Sequence, residues 1–398
     1  LVAQPDLKQQ ARQAMARATA FYRSIATEGG YLWRYSQDLK TREGEGPATA
    51  TQVWVQPPGT PAVGEALLAA WRATGEKVYL DGAVAAARAL VRGQLESGGW
   101  DYRIEFDPEL RKKWNYRLDP SPGARNVSTY DDDNTQSALR LLMDVYKAQP
   151  DREVKAALGY GLEAALRNQY PNGAWPQRYP GPGEGYYRYY TYNDDTIADL
   201  VRTLLQAREQ LGDQRYLEAV RRAGDFMILS QRPPPQPIWA QQYDLEMKPA
   251  WARKFEPPSV CSRESAGVIR SLIQVYLATG DEKYLKPIPA AIEWFRRSTI
   301  GPNRWARFYE IETRFYEEIA HQVELRTPRR YYSARAAERS SAPQEGPAGD
   351  LANFTRSPRS KDSLMRATAW RPSLWPRKAR RSSVVVSRVA AIPRRRSR

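Results

Sequence analysis

Four segments of this 398-residue chain share one order: an apolar stripe at helical spacing, a polar turn, and a second helix. Residues 66–71 run into TGEKVYL, 138–146 into QPDREV, 197–211 into LGDQRYL, and 268–277 into TGDEKYL. The turns begin near Gly75, Pro150, Gly212 and Gly280, spaced by 75, 62 and 68 residues. Gly or Pro ends each first helix, and Asp or Glu starts the second. Such a hairpin cannot bury its own apolar stripe, so successive hairpins must pack on one another. No convincing alternating strand pattern is present. The expectation is an all-α chain, an incomplete (α/α) toroid of repeated helical hairpins, with irregular loops forming a substrate cleft.

The hairpins carry a second repeat at their ends. Gln94-x-x-x-Gly98-x-Trp100 matches Gln169-x-x-x-Gly173-x-Trp175 position for position, and Tyr31-Leu32-Trp33 after Gly29-Gly30 is a looser copy. Gly allows a tight exit from a helix, and Trp can plug the end of the next hairpin. The loops that follow are long and rich in Pro, Gly and Tyr, which makes them one candidate functional rim.

Charge divides the chain. The formal net charge is +16, yet residues 1–320 carry 42 Lys+Arg against 40 Asp+Glu, and residues 321–398 carry 19 against 5. The body, 1–320, reads as the catalytic domain. The segment 321–398 reads as a basic Arg/Ser/Pro-rich tail, disordered or translated out of frame, with no packed core from about Arg326. It lacks the interleaved aromatics of a nucleic-acid platform, so no nucleic-acid partner is expected. A single cysteine, Cys261, excludes an internal disulfide, and a single histidine, His321, excludes a His-rich zinc site. A Ser-His-Asp triad near His321 stays conceivable. No apolar run approaches the ~20 residues needed to span a bilayer.

Two acidic clusters precede apolar helical runs. One is Ser128-Thr129-Tyr130-Asp131-Asp132-Asp133-Asn134-Thr135. The other, Asn193-Asp194-Asp195, closes the Tyr-rich stretch 172–196, which also holds Arg188. One reading is helix capping, in which a side-chain oxygen accepts from free backbone N–H groups. The other is a cation site, because adjacent carboxylates repel unless compensated and an all-oxygen set favours a hard ion such as calcium. Two arginine clusters complete the set: Lys248-Pro-Ala-Trp-Ala-Arg253-Lys254-Phe-Glu256 running into Ser262-Arg263-Glu264-Ser265, and Arg304-Trp305-Ala306-Arg307-Phe308-Tyr309-Glu310. All four clusters sit in loops between helices and could meet on one rim.

NGAWPQRYP, YTYNDDT, PAWARKFEPPSVCSRES and RWARFYEIET together resemble the motifs of the family 10 polysaccharide lyases, which are pectate lyases. The likeness covers about 14–313. It implies a calcium-assisted anti-β-elimination on polygalacturonate, giving 4,5-unsaturated oligogalacturonides. By motif position, Asp131 and Asp194 would take the calcium-linked roles, with Asp132 and Asp195 as their neighbours. Arg253 would be the catalytic base and Arg307 would hold a substrate carboxylate. Trp175, Arg178, Asn193 and Lys254, inside the same motifs, would also meet the substrate. The resemblance further implies a secreted or periplasmic monomer, with any export signal lying before Leu1. The chain departs from the family after Glu312-Thr313, where an Asn-Arg-Pro element with a further substrate-binding arginine is replaced by Arg314-Phe-Tyr-Glu-Glu-Ile-Ala-His321. Arg314 and Arg326 are the stand-ins.

The implied chemistry makes definite demands. Removing the C5 proton of a uronate puts charge onto its carboxyl oxygens, where cations stabilise it. Arginine is effectively always protonated, so as a base it needs nearby cations to lower its pKa, or an alkaline working pH. Two other readings use the same residues. Gln-x3-Gly-x-Trp repeats with an acidic run are also found in terpene cyclases, which are α/α toroids protonating an apolar polyene. A non-catalytic uronan-binding toroid would keep the same Arg and Asp residues without the base.

Overall fold

The computed structural model describes residues 6–181 and 183–311, and a two-residue strand at 331–332. The expected basic tail, His321, Arg314 and Arg326 lie outside the described residues. Among those described there are nine α-helices: α1 (Leu7–Ile25), α2 (Thr60–Thr74), α3 (Lys77–Arg92), α4 (Asn134–Ala148), α5 (Arg152–Arg167), α6 (Thr196–Leu211), α7 (Gln214–Leu229), α8 (Ser262–Thr279) and α9 (Ile288–Arg297). None of them is long and apolar enough to cross a membrane.

Helices α2 to α9 form the four hairpins that the periodicity predicts. Gly75, Gly212 and Gly280 end α2, α6 and α8 with φ of +74°, +79° and +70°, the left-handed geometry that glycine adopts without a Cβ penalty. The carboxylates of Asp151, Asp213 and Asp281 then accept the first free N–H groups of the next helical segment. Inner helices α2, α4, α6 and α8 pack side by side in that order. Leu68, Leu90, Leu139, Leu162, Leu204, Val220 and Leu272 are all fully buried in one continuous core. The fold is the expected all-α incomplete toroid.

The strands are the unexpected part. β1 (Arg34–Tyr35) and β2 (Arg42–Glu43) pair ahead of the hairpins. β3 (Gln52–Trp54), before α2, pairs with β4 (Arg103–Glu105), after α3. In the same way β5 (Ser128–Thr129) pairs with β6 (Arg178–Tyr179) around α4 and α5, and β7 (Tyr190–Thr191) with β8 (Gln242–Tyr243) around α6 and α7. β9 (Val260–Cys261) pairs with β10 (Phe308–Tyr309) around α8 and α9, and β11 (Tyr331–Tyr332) adds to β10. Every ladder is antiparallel, and each of these last four closes the open end of one hairpin. Two or three residues are too few to leave an alternating pattern in the sequence.

The tryptophan repeat belongs to this closure. The indole Nε1 of Trp100, Trp175 and Trp305 donates to the carbonyls of Leu90, Ala165 and Phe295 at 2.8 Å, and that of Trp239 to Met227 at 2.7 Å. Each indole thus seals the last turn of its own outer helix. Gln94 and Gln169 bridge their own turn to the carbonyls of Ala157 and Ala219 on the next outer helix, at 2.9 Å. The placement of Trp175 among substrate-binding residues is therefore corrected: its side chain is fully buried and its one polar atom is used.

Gly173 shows how tight the stitching is. Its φ is +95°, and a Cβ there would lie 2.0 Å from the backbone oxygen of Arg222. Gly173→Ala should destabilise the protein by about 3 kcal/mol or more, from left-handed strain and a clash with backbone together. That corresponds to a fall of roughly 6–12 °C in Tm by calorimetry. Gly159→Ala is the control, because a Cβ there meets nothing within 4 Å and should be neutral or stabilising.

Candidate active site

The two acidic clusters form a matched pair of turns at the starts of α4 and α6. Asp132 and Asp133 have φ of +53° and +58°, and Asp194 and Asp195 have +47° and +61°. Left-handed backbone costs an L-residue roughly 1–2 kcal/mol each, and Asp tolerates it better than most. Counted from each helix start, Asp132 matches Asp194, Asp133 matches Asp195, and Asp131 matches Asn193. The capping reading fails here, because neither Asp133 nor Asp195 accepts a hydrogen bond from a helix N–H. Both are ion-paired instead. Asp133 joins Arg140 of α4 to Arg202 of α6, and Asp195 faces Arg263 of α8 at 3.3 Å.

Pairing the second aspartate of each turn leaves the first pointing inward. Carboxylate oxygens of Asp131, Asp132 and Asp194 all lie within 4.8 Å of one another. Two oxygens on one calcium ion, each at 2.3–2.6 Å, stand up to about 5 Å apart, so this spacing suits a shared hard cation. Asp194 accepts from the Asn193 amide at 2.8 Å and faces Arg263 at 3.4 Å, so the donors fall mostly on one side. The Tyr102 hydroxyl donates to Asp131 at 3.1 Å and to Asp132 at 3.4 Å, while Oδ1 of Asp131 is buried without a partner. Burial pushes Asp131 up to about 7, reinforced by Asp132 and then Asp194. Burial and then Asp194 and Glu45 push Asp132 up to about 6. Arg263 reaches Asp194 at 3.4 Å, and Arg178 and Arg253 act on Asp131 and Asp132 from further off, yet both carboxyls stay raised, so the cluster still suits a metal ion. Asp195, expected among the ligands, stands outside this group: Arg263 bridges it to Asp194, at 3.3 and 3.4 Å, but its own oxygens do not join the three.

Arginines close the other side. Arg253 grips the buried Glu256 through Nε at 2.8 Å and Nη2 at 2.7 Å, and this raises its pKa further above the usual guanidinium range. Partial burial pulls the other way, but Glu256 outweighs it. Arg307 donates through Nη2 to Gln241 at 3.2 Å, and to Asn193 and Glu264 at 3.4 Å. Burial works against its charge most strongly, and Glu264, Cys261, Asp194 and Glu256 together outweigh it and raise the pKa. Asn193 turns its amide to Asp194 at 2.8 Å, so it couples Arg307 to the acidic turns. Arg178 stands between two rings, 4.3 Å from Tyr187 and 5.7 Å from Tyr102. Lys254 is exposed on the Arg253 loop.

A family model described as pectic acid lyase matches residues 94–304, which span both aspartate turns, Arg253 and Arg263. This chain belongs to the pectic acid lyase family. It is a polysaccharide lyase, and the terpene cyclase alternative falls away. No curated protein matches the chain significantly. Among solved structures, a family 10 polysaccharide lyase from Cellvibrio cellulosa is similar at 22% identity, covering 56% of this chain and 76% of that one, with a TM-score of 0.47. A mutant of that enzyme in complex with trigalacturonic acid matches at the same identity and TM-score, covering 77% of that chain. A GH76 alpha-mannanase from Bacteroides thetaiotaomicron is similar at 12% identity, covering 77% of this chain and 74% of that one, with a TM-score of 0.43.

The site of this pectic acid lyase family member is built on the repeat. Backbone N–H groups of Val55, Tyr130, Tyr192 and Ser262 donate to the carbonyls of Tyr102, Gln177, Gln241 and Arg307, at 2.8, 2.9, 2.9 and 3.0 Å. These four residues hold equivalent positions, one per hairpin, and each lies two residues after a plugging tryptophan. Sequence reasoning found Arg307 and missed Tyr102 and Gln241, although Trp-x-Tyr102, Trp-x-Gln241 and Trp-x-Arg307 share one spacing. Glu256, Arg263 and Glu264 were inside quoted motifs, but nothing in the sequence alone told their roles.

The raised carboxyl pKa values set a pH dependence. In the unfolded chain these groups titrate near 4, so between roughly pH 4 and 7 the folded, metal-free protein binds more protons than the unfolded one. Its stability therefore falls as pH rises through that window. Tm in chelator should be lower at pH 8 than at pH 5 by a margin that Asp131→Asn reduces, the remainder coming from Asp132. Calcium should raise Tm more at pH 8, where it need not displace protons. A larger calcium effect at pH 5 would contradict this.

Proposed function

We propose that this polysaccharide lyase cleaves polygalacturonate by calcium-assisted anti-β-elimination and releases 4,5-unsaturated oligogalacturonides. The observation that carries the reading is the meeting of three close carboxylates, Asp131, Asp132 and Asp194, with Arg253, Arg263 and Arg307 on one rim. Asp131, Asp132 and Asp194 would hold the ion, and the orphaned buried oxygen of Asp131 fits that role. Bound there, calcium would neutralise the aspartates and stabilise negative charge growing on the uronate carboxyl group.

The residues of the chain divide the remaining work. Arg307, fixed by Glu264, Gln241 and Asn193, binds a uronate carboxylate and orients the ring. Arg253, fixed by Glu256, removes the C5 proton in its neutral form. The electron pair of that C–H bond becomes the C4–C5 double bond as the C4–O bond breaks, and the leaving oxygen takes a proton from solvent. Because Glu256 keeps Arg253 protonated, the reaction should be favoured at alkaline pH. Tyr102, Arg178 and Lys254 line the approach of the polymer. Every side chain named comes from one chain within residues 1–320, so a monomer suffices. A polymeric substrate is met outside the cytoplasm, which makes the enzyme secreted or periplasmic.

Mass spectrometry of the products tests the reaction type. Incubation with polygalacturonate and calcium should give oligomers lighter by one water than hydrolysis products. Saturated oligomers would mean a hydrolase, and no products at all would favour a non-catalytic uronan-binding toroid.

A further inference from the structure

A second cleft opens at the end of α7, away from the aspartate turns. Leu229, Arg232, Pro233, Tyr243 and Met247 are among the residues that line it, and its volume is about 230 Å³. Nearly every polar group around it is already used. Gln231 donates to the carbonyls of Pro237 and Pro287 at 2.9 Å. The Tyr243 hydroxyl donates to the Ser230 carbonyl at 2.6 Å and accepts from Ala240 N–H at 2.9 Å.

Arg232 is the exception. Its backbone N–H reaches the Ile238 carbonyl at 3.1 Å, but its Nε is buried without a partner. Its guanidinium makes no ion pair or hydrogen bond with any described residue. The contrast with the active site is sharp, since Arg253, Arg263 and Arg307 each face a carboxylate within 3.4 Å. A half-buried charge without a counter-ion is costly, so the cleft lacks an anion. Burial also pulls the Arg232 pKa down, with only Tyr243 opposing it. The walls contributed by Leu229, Pro233 and Met247 are apolar, which suits the C–H face of a ring. The volume lies below the roughly 300–1,000 Å³ of sites for larger ligands, so a single ring is the natural occupant.

We propose that this cleft is a second sugar site, in which Arg232 binds the carboxylate of one uronate unit through its planar fork. β8 leads there from the active site. Gln241, just before β8, contacts Arg307, and Tyr243, two residues or about 7 Å further along the chain, lines the cleft. An acidic polymer can thus be held one step outside the reacting unit. The uronate identity of the ligand draws on the polygalacturonate reading, whereas the need for an anion at Arg232 does not.

The test is calorimetric titration of galacturonate, galactose and acetate into the full chain in excess chelator, with wild type, Arg232→Gln and Arg307→Ala. Wild type and Arg307→Ala should bind galacturonate at this cleft, and Arg232→Gln should weaken that binding tenfold or more with Tm unchanged or raised. Galactose and acetate should bind at least tenfold more weakly than galacturonate. If Arg232→Gln fails to fold, Met247→Asp supplies the second variant, placing a carboxylate in the cleft that should exclude the ligand. Galacturonate affinity unchanged by either substitution, no saturable binding, or equal affinity for acetate would each overturn the site. Binding lost in Arg232→Gln, in a protein that does not cleave polygalacturonate, would sink the lyase reading and leave this site standing.

Discussion

Arg253→Lys is expected to lower kcat on polygalacturonate by about two to four decades while substrate and calcium still bind, the loss typical of a positioned general base. The geometry explains why a retained positive charge does not rescue it. Glu256 is buried and engages two separate nitrogens of the guanidinium, and a single ammonium cannot occupy both positions. The base would then sit in the wrong place even when deprotonated. The pH profile adds an independent check. Glu256 holds Arg253 protonated, so the wild-type rate should climb with pH into the alkaline range. An intrinsically less basic lysine should move that limb to lower pH at a much reduced plateau. Arg307→Ala should act differently and raise KM first, because its bonds to Glu264, Gln241 and Asn193 describe a binding group. A near-normal kcat for Arg253→Lys would move the base elsewhere, with Lys254 and then Lys248 next in line.

Asp194→Asn is the second large effect, and its two consequences have opposite signs. Removing one of three carboxylates that share a 4.8 Å neighbourhood should weaken calcium binding by about two decades or more. Activity at limiting calcium should fall accordingly and recover in part at high calcium. In chelator, however, the variant should be more stable than wild type, because Asp194 raises the pKa of both Asp131 and Asp132 by repulsion. Function traded against stability in this way is common at charged sites. Isothermal titration with calcium and a thermal melt in chelator measure both halves. A variant less stable without metal, with its calcium requirement unchanged, would place the ion elsewhere.

The hairpins were legible because their signals are local. Gly75, Gly212 and Gly280 after apolar stripes, and Asp151, Asp213 and Asp281 before the next helix, each act within one or two turns of chain. The ladders were not legible, since Thr129 pairs with Arg178 and Cys261 with Phe308 across whole hairpins in strands of two residues. The same distance hid Tyr102, which lies far in sequence from the Asp131 it touches. The acidic turns could be found but not understood. Capping and cation binding use the same residue types, and only the folded geometry separates them: Asp133 and Asp195 accept no helix N–H bond, while Asp131, Asp132 and Asp194 converge. For Trp175 the repeat pointed to a hairpin plug and the motif position to a sugar contact, and the indole is used up in closing α5. Arg232 carried no motif at all. That its guanidinium has no partner among the described residues is a property of the folded surroundings alone.

The most direct measurement is ultraviolet absorbance of the conjugated C4–C5 double bond during incubation of the purified chain with polygalacturonate. With calcium the absorbance should rise steadily. Excess chelator should stop it, added calcium should restore it, and zinc should not, because the candidate ligands are all hard oxygens. Undiminished turnover in chelator would contradict the account.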